Sequence, residues 1–314
     1  MCDHRLSMYR DGTDSGSLNF GRLRPLGILL GAGGIRGCAH VGVLSVLEEL
    51  GLVGDVVVGS SIGSIFGAGY AAGWDAARLS RLTADAPLKA VAEFYLNRLR
   101  IDTKTYIGSL LSELGRDTLI EDLPRPFAAM ALDCSVGRVV ALTRGPLLQA
   151  VQASIALPGV ARPVQIGSTS YLDGGLRGPI PASVARDLGA KSIVRVELLG
   201  AHPLTLAHRR LARSRLGEMV SRRAGRSARP AAIATAEQVG ASVMPEVVIT
   251  PQFYGLFCNS PLGIGFCANR GRSAAAKTLA KTLDDRLSGP LGSEPDPLTP
   301  AAAGTPGTAT ATSD

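Results

Sequence analysis

Val56-Val57-Val58-Gly59-Ser60-Ser61-Ile62-Gly63-Ser64 is the stretch on which the fold turns. A short β-branched run meets a Gly-x-Ser-x-Gly pentapeptide, and small residues from Gly67 to Gly73 follow it. The order reads strand, tight turn, helix, which is the context a nucleophile elbow requires. Gly59 and Gly63 leave room for a strand to reverse into a helix. Ser61 then sits on the turn with its hydroxyl presented, at the positive end of the helix that starts there. The plainer reading of the same residues is a Gly/Ser-rich loop before a buried helix.

Upstream, Leu26 to Leu30 reads as a first buried strand. It runs into Gly31-Ala32-Gly33-Gly34-Ile35-Arg36-Gly37, and a helix follows from Cys38 to Gly51, with Val43, Leu44, Leu47 and Leu50 at helical spacing. A second strand, Val53 to Val58, leads into the elbow. This alternation predicts an α/β fold with a mostly parallel central sheet flanked by helices in three layers. Ligands in such sheets bind at the carboxyl ends of the strands, where both Gly-rich turns lie. A dinucleotide fingerprint counted from Gly31 fails, because its sixth position is Arg36. A phosphate loop ending in Gly-Lys-Ser/Thr is absent as well. An oxyanion loop remains, in which successive N–H groups approach a carbonyl oxygen with no side chain in the way. Arg36 steadies that loop, meets a phosphate, or is a surface charge.

Downstream, a helical stretch starts at Trp74-Asp75, and residues 89 to 101 carry apolar side chains at helical spacing. Strands are predicted at Phe127 to Leu132 and Arg138 to Thr143, with a helix at Leu147 to Ser154 before Pro158-Gly159. A hairpin from Gln165 to Leu172 delivers Asp173-Gly174-Gly175, so Asp173 is either a turn former or a catalytic carboxylate. A helix from Pro179-Pro181 to about Leu188, strands at Lys191 to Leu199 and Val247 to Pro251, and a closing helix from Gly271 to Leu287 complete the pattern. Between them, Arg209, Arg210, Arg213, Arg215, Arg222, Arg223, Arg226 and Arg229 crowd one stretch with leucines interspersed. It reads as a basic amphipathic helix on a membrane surface or as a solvated face. The expected organisation is a flexible lead over 1–24, one folded domain over 25–287 with a basic variable segment at 200–245, and a disordered Pro/Ala/Thr/Gly-rich tail over 288–314.

The 314 residues suit one large α/β domain or two small ones, and a hydrophobic content of 46% supplies a sizeable core. The net charge of +7 favours anionic surfaces. Only 4% of residues are aromatic, so stacking platforms for single-stranded nucleic acid are scarce, and no nucleic-acid partner is expected. Cys2, Cys38, Cys134, Cys258 and Cys267 are odd in number and form no C-x-x-C pair, which argues against a disulfide framework and a zinc site. The polar N-terminus has no apolar h-region, and no apolar run reaches the roughly 18 residues that span a bilayer. The expected location is cytoplasmic, with any membrane contact made from the surface.

Taken together, these segments resemble the patatin-like phospholipase family, especially its bacterial members. The likeness runs from about Leu26 to Leu199. Gly31 to Leu44 resembles the family's Gly-rich oxyanion loop and the helix after it, and Gly59-Ser60-Ser61-Ile62-Gly63 its nucleophile motif. Ala153-Ser154-Ile155-Ala156-Leu157-Pro158-Gly159-Val160 is similar to a segment the family carries shortly before its catalytic Asp, and Asp173-Gly174-Gly175 to its Asp-Gly-Gly/Ala motif. The resemblance implies a serine acyl hydrolase for fatty-acyl esters of lipids, needing no metal or organic cofactor. In it Ser61 is the nucleophile, Asp173 the proton acceptor, and the backbone around Gly33, Gly34, Ile35 and Arg36 the oxyanion hole.

The sequence departs from the family pattern at Ala32, where Gly is often found, and at Arg177-Gly178, near which members often carry Asn. If position 32 requires positive φ, Ala would misshape the hole. Two other readings stand beside this one. An α/β-hydrolase triad would use Ser61, Asp173 and His202 or His208, His40 being a packing or capping residue and His4 part of the lead. A patatin-like scaffold without catalysis would bind lipid or a protein.

Overall fold

The computed structural model describes residues 24–82, 102–199, 246–253 and 264–287. The lead, the tail, the 89–101 helix, the arginine-rich segment, His202 and His208 lie outside these residues. The strands are β1 (Leu26–Leu30), β2 (Val56–Ser60), β3 (Phe127–Asp133), β4 (Arg138–Leu142), β5 (Val164–Ile166), β6 (Thr169–Asp173), β7 (Ser192–Val196) and β8 (Glu246–Ile249). The helices are α1 (Cys38–Glu49), α2 (Ile62–Ala71), α3 (Thr103–Leu110), α4 (Leu147–Ser154), α5 (Ala182–Asp187) and α6 (Ile264–Leu287).

The eight strands form one mixed sheet in the order β5-β6-β3-β2-β1-β7-β8, with β4 also on β3. From β3 through β8 along this path all pairings are parallel, whereas β4 and β6 pair antiparallel with β3. Period-2 alternation sets the layers. Ile28 and Leu30 of β1 face a large core with α1, α2, α4 and α6, while Leu29 faces a smaller one with α5.

Register on β3 brings two strand ends together. β4 covers one edge of β3 from Ala129 to Asp133. The other edge is shared. β2 runs up it as far as Ser60, opposite Met130, and β6 comes down it from the other end to Asp173, opposite Ala131. The carboxyl ends of β2 and β6 therefore meet head to head across one step of β3.

Several boundaries differ from the sequence reading, and two of the differences have a clear cause. β2 begins at Val56 rather than Val53, because Gly54 and Asp55 belong to a turn. Gly54 N–H donates to the Tyr70 hydroxyl at 3.2 Å, and Leu26 N–H donates to Asp55 Oδ2 at 2.7 Å. The strand then runs on through Gly59 and Ser60, where β3 supplies a partner. The last helix begins at Ile264 rather than Gly271. Its glycine-containing first turns are poor helix formers in isolation, and packing against α1 overrides that propensity. Cys267 is buried against Cys38, and Arg272 donates to both Glu49 carboxylate oxygens at 2.6 and 2.8 Å.

The α1–α6 contact relies on absent side chains. A Cβ at Gly42 would lie 1.9 Å from the Ala268 carbonyl oxygen, and one at Gly271 2.0 Å from that of Ala39. Gly108 in α3 has no such neighbour within 4 Å. Gly42→Ala is expected to destabilise the protein by about 1–3 kcal/mol or more through overpacking. Gly108→Ala is expected to stabilise it by about 0.5–1 kcal/mol through helix propensity. Urea midpoints of the two variants, measured against the parent, check both signs.

Candidate active site

Ser61 follows the last residue of β2 and caps α2 with φ 55° and ψ −127°. Among the described residues it is the only non-glycine with positive φ. A conformation of this kind costs about 1–3 kcal/mol and persists only where its surroundings over-determine it. Here they do. The Ser61 N–H donates to Ser154 Oγ at 3.0 Å, and the Ser61 carbonyl accepts from Ser64 N at 2.8 Å and Ser64 Oγ at 2.6 Å. The flanking glycines are held by close approach. A Cβ on Gly59 would meet the Gly63 carbonyl at 2.5 Å, and one on Gly63 the Leu30 carbonyl at 1.9 Å.

Asp173 arrives from the opposite direction as the last residue of β6. Its Oδ2 accepts from Ser61 Oγ at 2.6 Å, across 112 residues of sequence. Its Oδ1 accepts from Gly175 N at 2.7 Å, which caps the short 3-10 turn Gly174–Arg177. One oxygen of Asp173 thus forms the turn while the other faces the serine. The side chain is 4% exposed. Burial raises its pKa from 3.8 to about 6, against the opposing pull of the Ser61 and Gly175 hydrogen bonds.

The Gly-rich loop is the third component. Gly31 N–H donates to the Val196 carbonyl at 3.0 Å, so β1 pairing extends into the loop. A 3-10 turn, Gly34–Gly37, then leads into α1. Arg36 N–H donates to the Gly33 carbonyl at 3.3 Å. The N–H groups of Gly34 and Ile35 stand at the start of this turn, where a helical turn supplies no internal partners. The Arg36 guanidinium lies 5.4 Å from the centre of the Phe253 ring. The loop touches both other motifs. Gly37 sits against Ile62, where a Cβ would come within 2.2 Å of Cγ1, and the Ala32 methyl is 2.4 Å from where a Gly175 Cβ would be. Ala32 has no positive φ, so its methyl strains nothing and is instead accommodated by Gly175.

His40 supports this loop from below. It is fully buried, its Nε2 lies 2.8 Å from the Gly31 carbonyl, and its ring packs edge-on to Phe66. Burial lowers its pKa from 6.5 to about 4, so the ring is neutral and Nε2–H donates. It packs and braces, as its place in the first helix suggests.

A small cleft lies beside the loop, lined by Gly31, Ala32, Ser60, Pro179 and Ile180 among others. The buried Ser60 Oγ borders it without a protein hydrogen-bond partner among the described residues. Among the described residues no three His, Cys, Asp or Glu side chains are grouped as metal ligands would be. Sequence reasoning brought out every component of this constellation except the hydroxyl of Ser154, the hydroxyl of Ser64 and the Ala156 carbonyl, which accepts from Asp173 N at 3.0 Å. All three lay in stretches that drew notice, Ser64 at the end of the elbow motif and Ser154 and Ala156 in the Ala153–Val160 segment, but none was given a role.

Comparison with known proteins shows what the chain is similar to. The chain is 35% identical over 184 residues to an uncharacterized NTE family protein of Mycobacterium tuberculosis, covering 55% of this chain and 49% of that one. It is 33% identical over 181 residues to patatin-like phospholipase domain-containing protein 6 of Mus musculus, covering 55% of this chain and 13% of that one. The matched part thus spans about half the length of the mycobacterial relative and a small part of the mouse protein. Among solved structures, VipD from Legionella pneumophila aligns with a TM-score of 0.48 at 13% identity, covering 82% of this chain and 67% of that one. The family model described as patatin-like phospholipase matches residues 28–186, just over half of the chain, and takes in the loop, the elbow and the Asp-Gly-Gly turn. The chain belongs to the patatin-like phospholipase family.

Proposed function

We propose that the protein is a serine acyl hydrolase that cleaves fatty-acyl esters of phospholipids or lysophospholipids through a Ser61–Asp173 dyad. The observation that carries this reading is the 2.6 Å hydrogen bond from Ser61 Oγ to Asp173 Oδ2. In a Ser–His–Asp triad the carboxylate meets an imidazole, not the serine. Here the two carboxylate oxygens take Ser61 Oγ and Gly175 N, and the one histidine among the described residues, His40, is bonded to Gly31. Family membership, and a relative named for a phospholipase domain, support lipid esters as the substrate class. The net charge of +7 suits peripheral contact with an anionic membrane. Among the described residues no helix is long and apolar enough to cross one.

The chemistry follows from the positions. Ser61 Oγ attacks the ester carbonyl carbon while Asp173 takes the hydroxyl proton. Negative charge then develops on the carbonyl oxygen. The N–H groups of the Gly33-Gly34-Ile35-Arg36 segment serve as its hole, with Gly34 and Ile35 the best-placed donors because Arg36 N–H is engaged by Gly33. The positive end of α2 adds to that field. Asp173 returns the proton to the leaving alkoxide, the ester C–O bond breaks, and the acyl-Ser61 ester remains. Water, deprotonated by Asp173, then attacks that ester and releases the fatty acid and free Ser61. The reading as a scaffold that binds lipid or a protein without catalysis draws on Ala32 only if that position requires positive φ, and Ala32 does not have it.

Ser61→Ala and Asp173→Asn are each expected to lower kcat/KM for a p-nitrophenyl ester by about 10³-fold or more, while a fluorophosphonate labels Ser61 in the parent. Because the base form of Asp173 is required, kcat/KM should rise with pH through about 6. Wild-type rates in either variant would remove the dyad.

Stability has its own pH signature. Asp173 has a folded pKa raised from 3.8 to about 6, so its contribution is fully present below pH 3.8 and is lost as pH rises through 6. That shift corresponds to at most about 3 kcal/mol at pH 8. His40 runs the other way, its contribution being present above pH 6.5 and lost as pH falls toward 4. The two offset each other across one window. Asp173→Asn is therefore expected to be more stable than the parent at pH 8. It should also lose stability more steeply between pH 6.5 and 4, as read from urea midpoints at pH 8, 6 and 4.5.

A further inference from the structure

Ser154 is the last residue of α4 and is fully buried. It lies 93 residues from Ser61 in sequence, yet its Oγ accepts the Ser61 N–H at 3.0 Å. The same oxygen donates its hydrogen to the Met130 carbonyl at 2.7 Å. A hydroxyl has one hydrogen to give and two lone pairs to offer, so the direction of the chain is fixed: Ser61 N–H to Ser154 O–H to Met130 C=O.

Each end of this chain is significant. Met130 is the residue of β3 opposite the end of β2, where the shared edge passes from β2 to β6. Ser61 is the one described non-glycine residue with positive φ. Its N–H direction is set by the Ser60–Ser61 peptide plane, and that plane also sets φ. Rotation of the peptide toward an ordinary negative φ would turn the N–H away from Ser154 and swing Oγ relative to Asp173. Two residues on, the Ala156 carbonyl accepts Asp173 N–H at 3.0 Å. The Ser154–Ala156 step therefore grips the backbone of both partners in the 2.6 Å Ser61–Asp173 contact.

We infer that Ser154 is a positioning residue for the acyl-transfer reaction: its hydroxyl holds the Ser61 peptide in the strained orientation that aims Oγ at Asp173. The inference rests on the Ser61–Asp173 reading. Ser154 is 0% exposed and out of reach of a bound substrate, so its removal is expected to act on turnover and not on binding.

The test uses the full chain and a short-chain p-nitrophenyl ester. Ser154→Ala is expected to lower kcat by about 30-fold or more, equivalent to about 2 kcal/mol of barrier, with KM within about threefold of the parent. The rate of fluorophosphonate labelling at Ser61 should fall in parallel. Ser154→Cys keeps a polar hydrogen at slightly larger size but bonds more weakly, and should fall between the two. Val46→Ala, in the buried core of α1 away from the site, controls for general loosening. It should lose more stability than Ser154→Ala and keep kcat within about twofold.

A Ser154→Ala kcat within twofold of the parent overturns the inference, as does an equal fall in Val46→Ala. Should Ser154→Ala fail to fold, Ser154→Cys carries the test, and parent-level kcat and labelling there overturn it. An inactive Ser61→Ala beside a fully active Ser154→Ala refutes this role alone. A Ser61→Ala variant with parent-level hydrolysis refutes the dyad, and this inference with it.

Discussion

Two strand ends compete for one edge of β3, and that competition organises the site. β2 holds the edge to Met130 and β6 from Ala131, so neither can lengthen without displacing the other. Parallel strands alone would place their carboxyl ends side by side, about 5 Å apart at each step across the sheet. An antiparallel arm on the same edge lets two carboxyl ends face each other along the strand direction. Ser61 and Asp173 are the first residues past and at those ends, and a hydroxyl meets a carboxylate at 2.6 Å.

The meeting is costly, and the rest of the fold is arranged to bear it. Ser61 is held at positive φ by buried serines on both sides, Ser154 and Ser64. Asp173 is buried so far that its charged form is disfavoured. Gly63, Gly174 and Gly175 let backbone and loop close to distances that no side chain permits, with the Met130 carbonyl 2.3 Å from where a Gly174 Cβ would stand. The core supplies the excess that tolerates this, with α1, α2 and α6 packed on one face of a sheet whose central strands β1 and β2 are buried throughout. Strain concentrated at a site and offset by packing elsewhere is the usual division of labour.

Much of this was legible in the residues. A β-branched run before Gly59-Ser60-Ser61-Ile62-Gly63 marked the elbow, since few other structures need those glycines there. The hairpin before Asp173 was legible from its turn at Gly167-Ser168, and the structure has β5 and β6 on either side of it. What the chain did not disclose was register. That β6 would share an edge with β2 follows from long-range pairing, which no local propensity encodes. The segment around Ser154 drew notice, but the role of its hydroxyl was hidden for a related reason. A serine at a helix end among alanines is ordinary, and its meaning appears only when Met130 and Ser61 are brought to it. Ala32 illustrates the converse. It looked like a defect when read as one letter against a pattern, and its conformation asks nothing of glycine.

The carboxylate that serves such a dyad faces a demand that a triad aspartate does not. In a triad the imidazole carries the proton, with an ordinary pKa near the working pH, and the aspartate stays charged. A lone aspartate with a pKa of 3.8 would be a poor base for a serine at neutral pH, because proton transfer is most effective when donor and acceptor are better matched. Burial narrows the gap by raising the Asp173 pKa to about 6. The raised pKa comes from desolvation, not from a neighbouring negative charge, and it is held down in part by the two hydrogen bonds that aim the side chain. The same apolar packing that brings β6 to the edge of β3 therefore raises this pKa. Opening that packing to water would lower the pKa and loosen the aim together, so position and basicity at Asp173 stem from one physical cause.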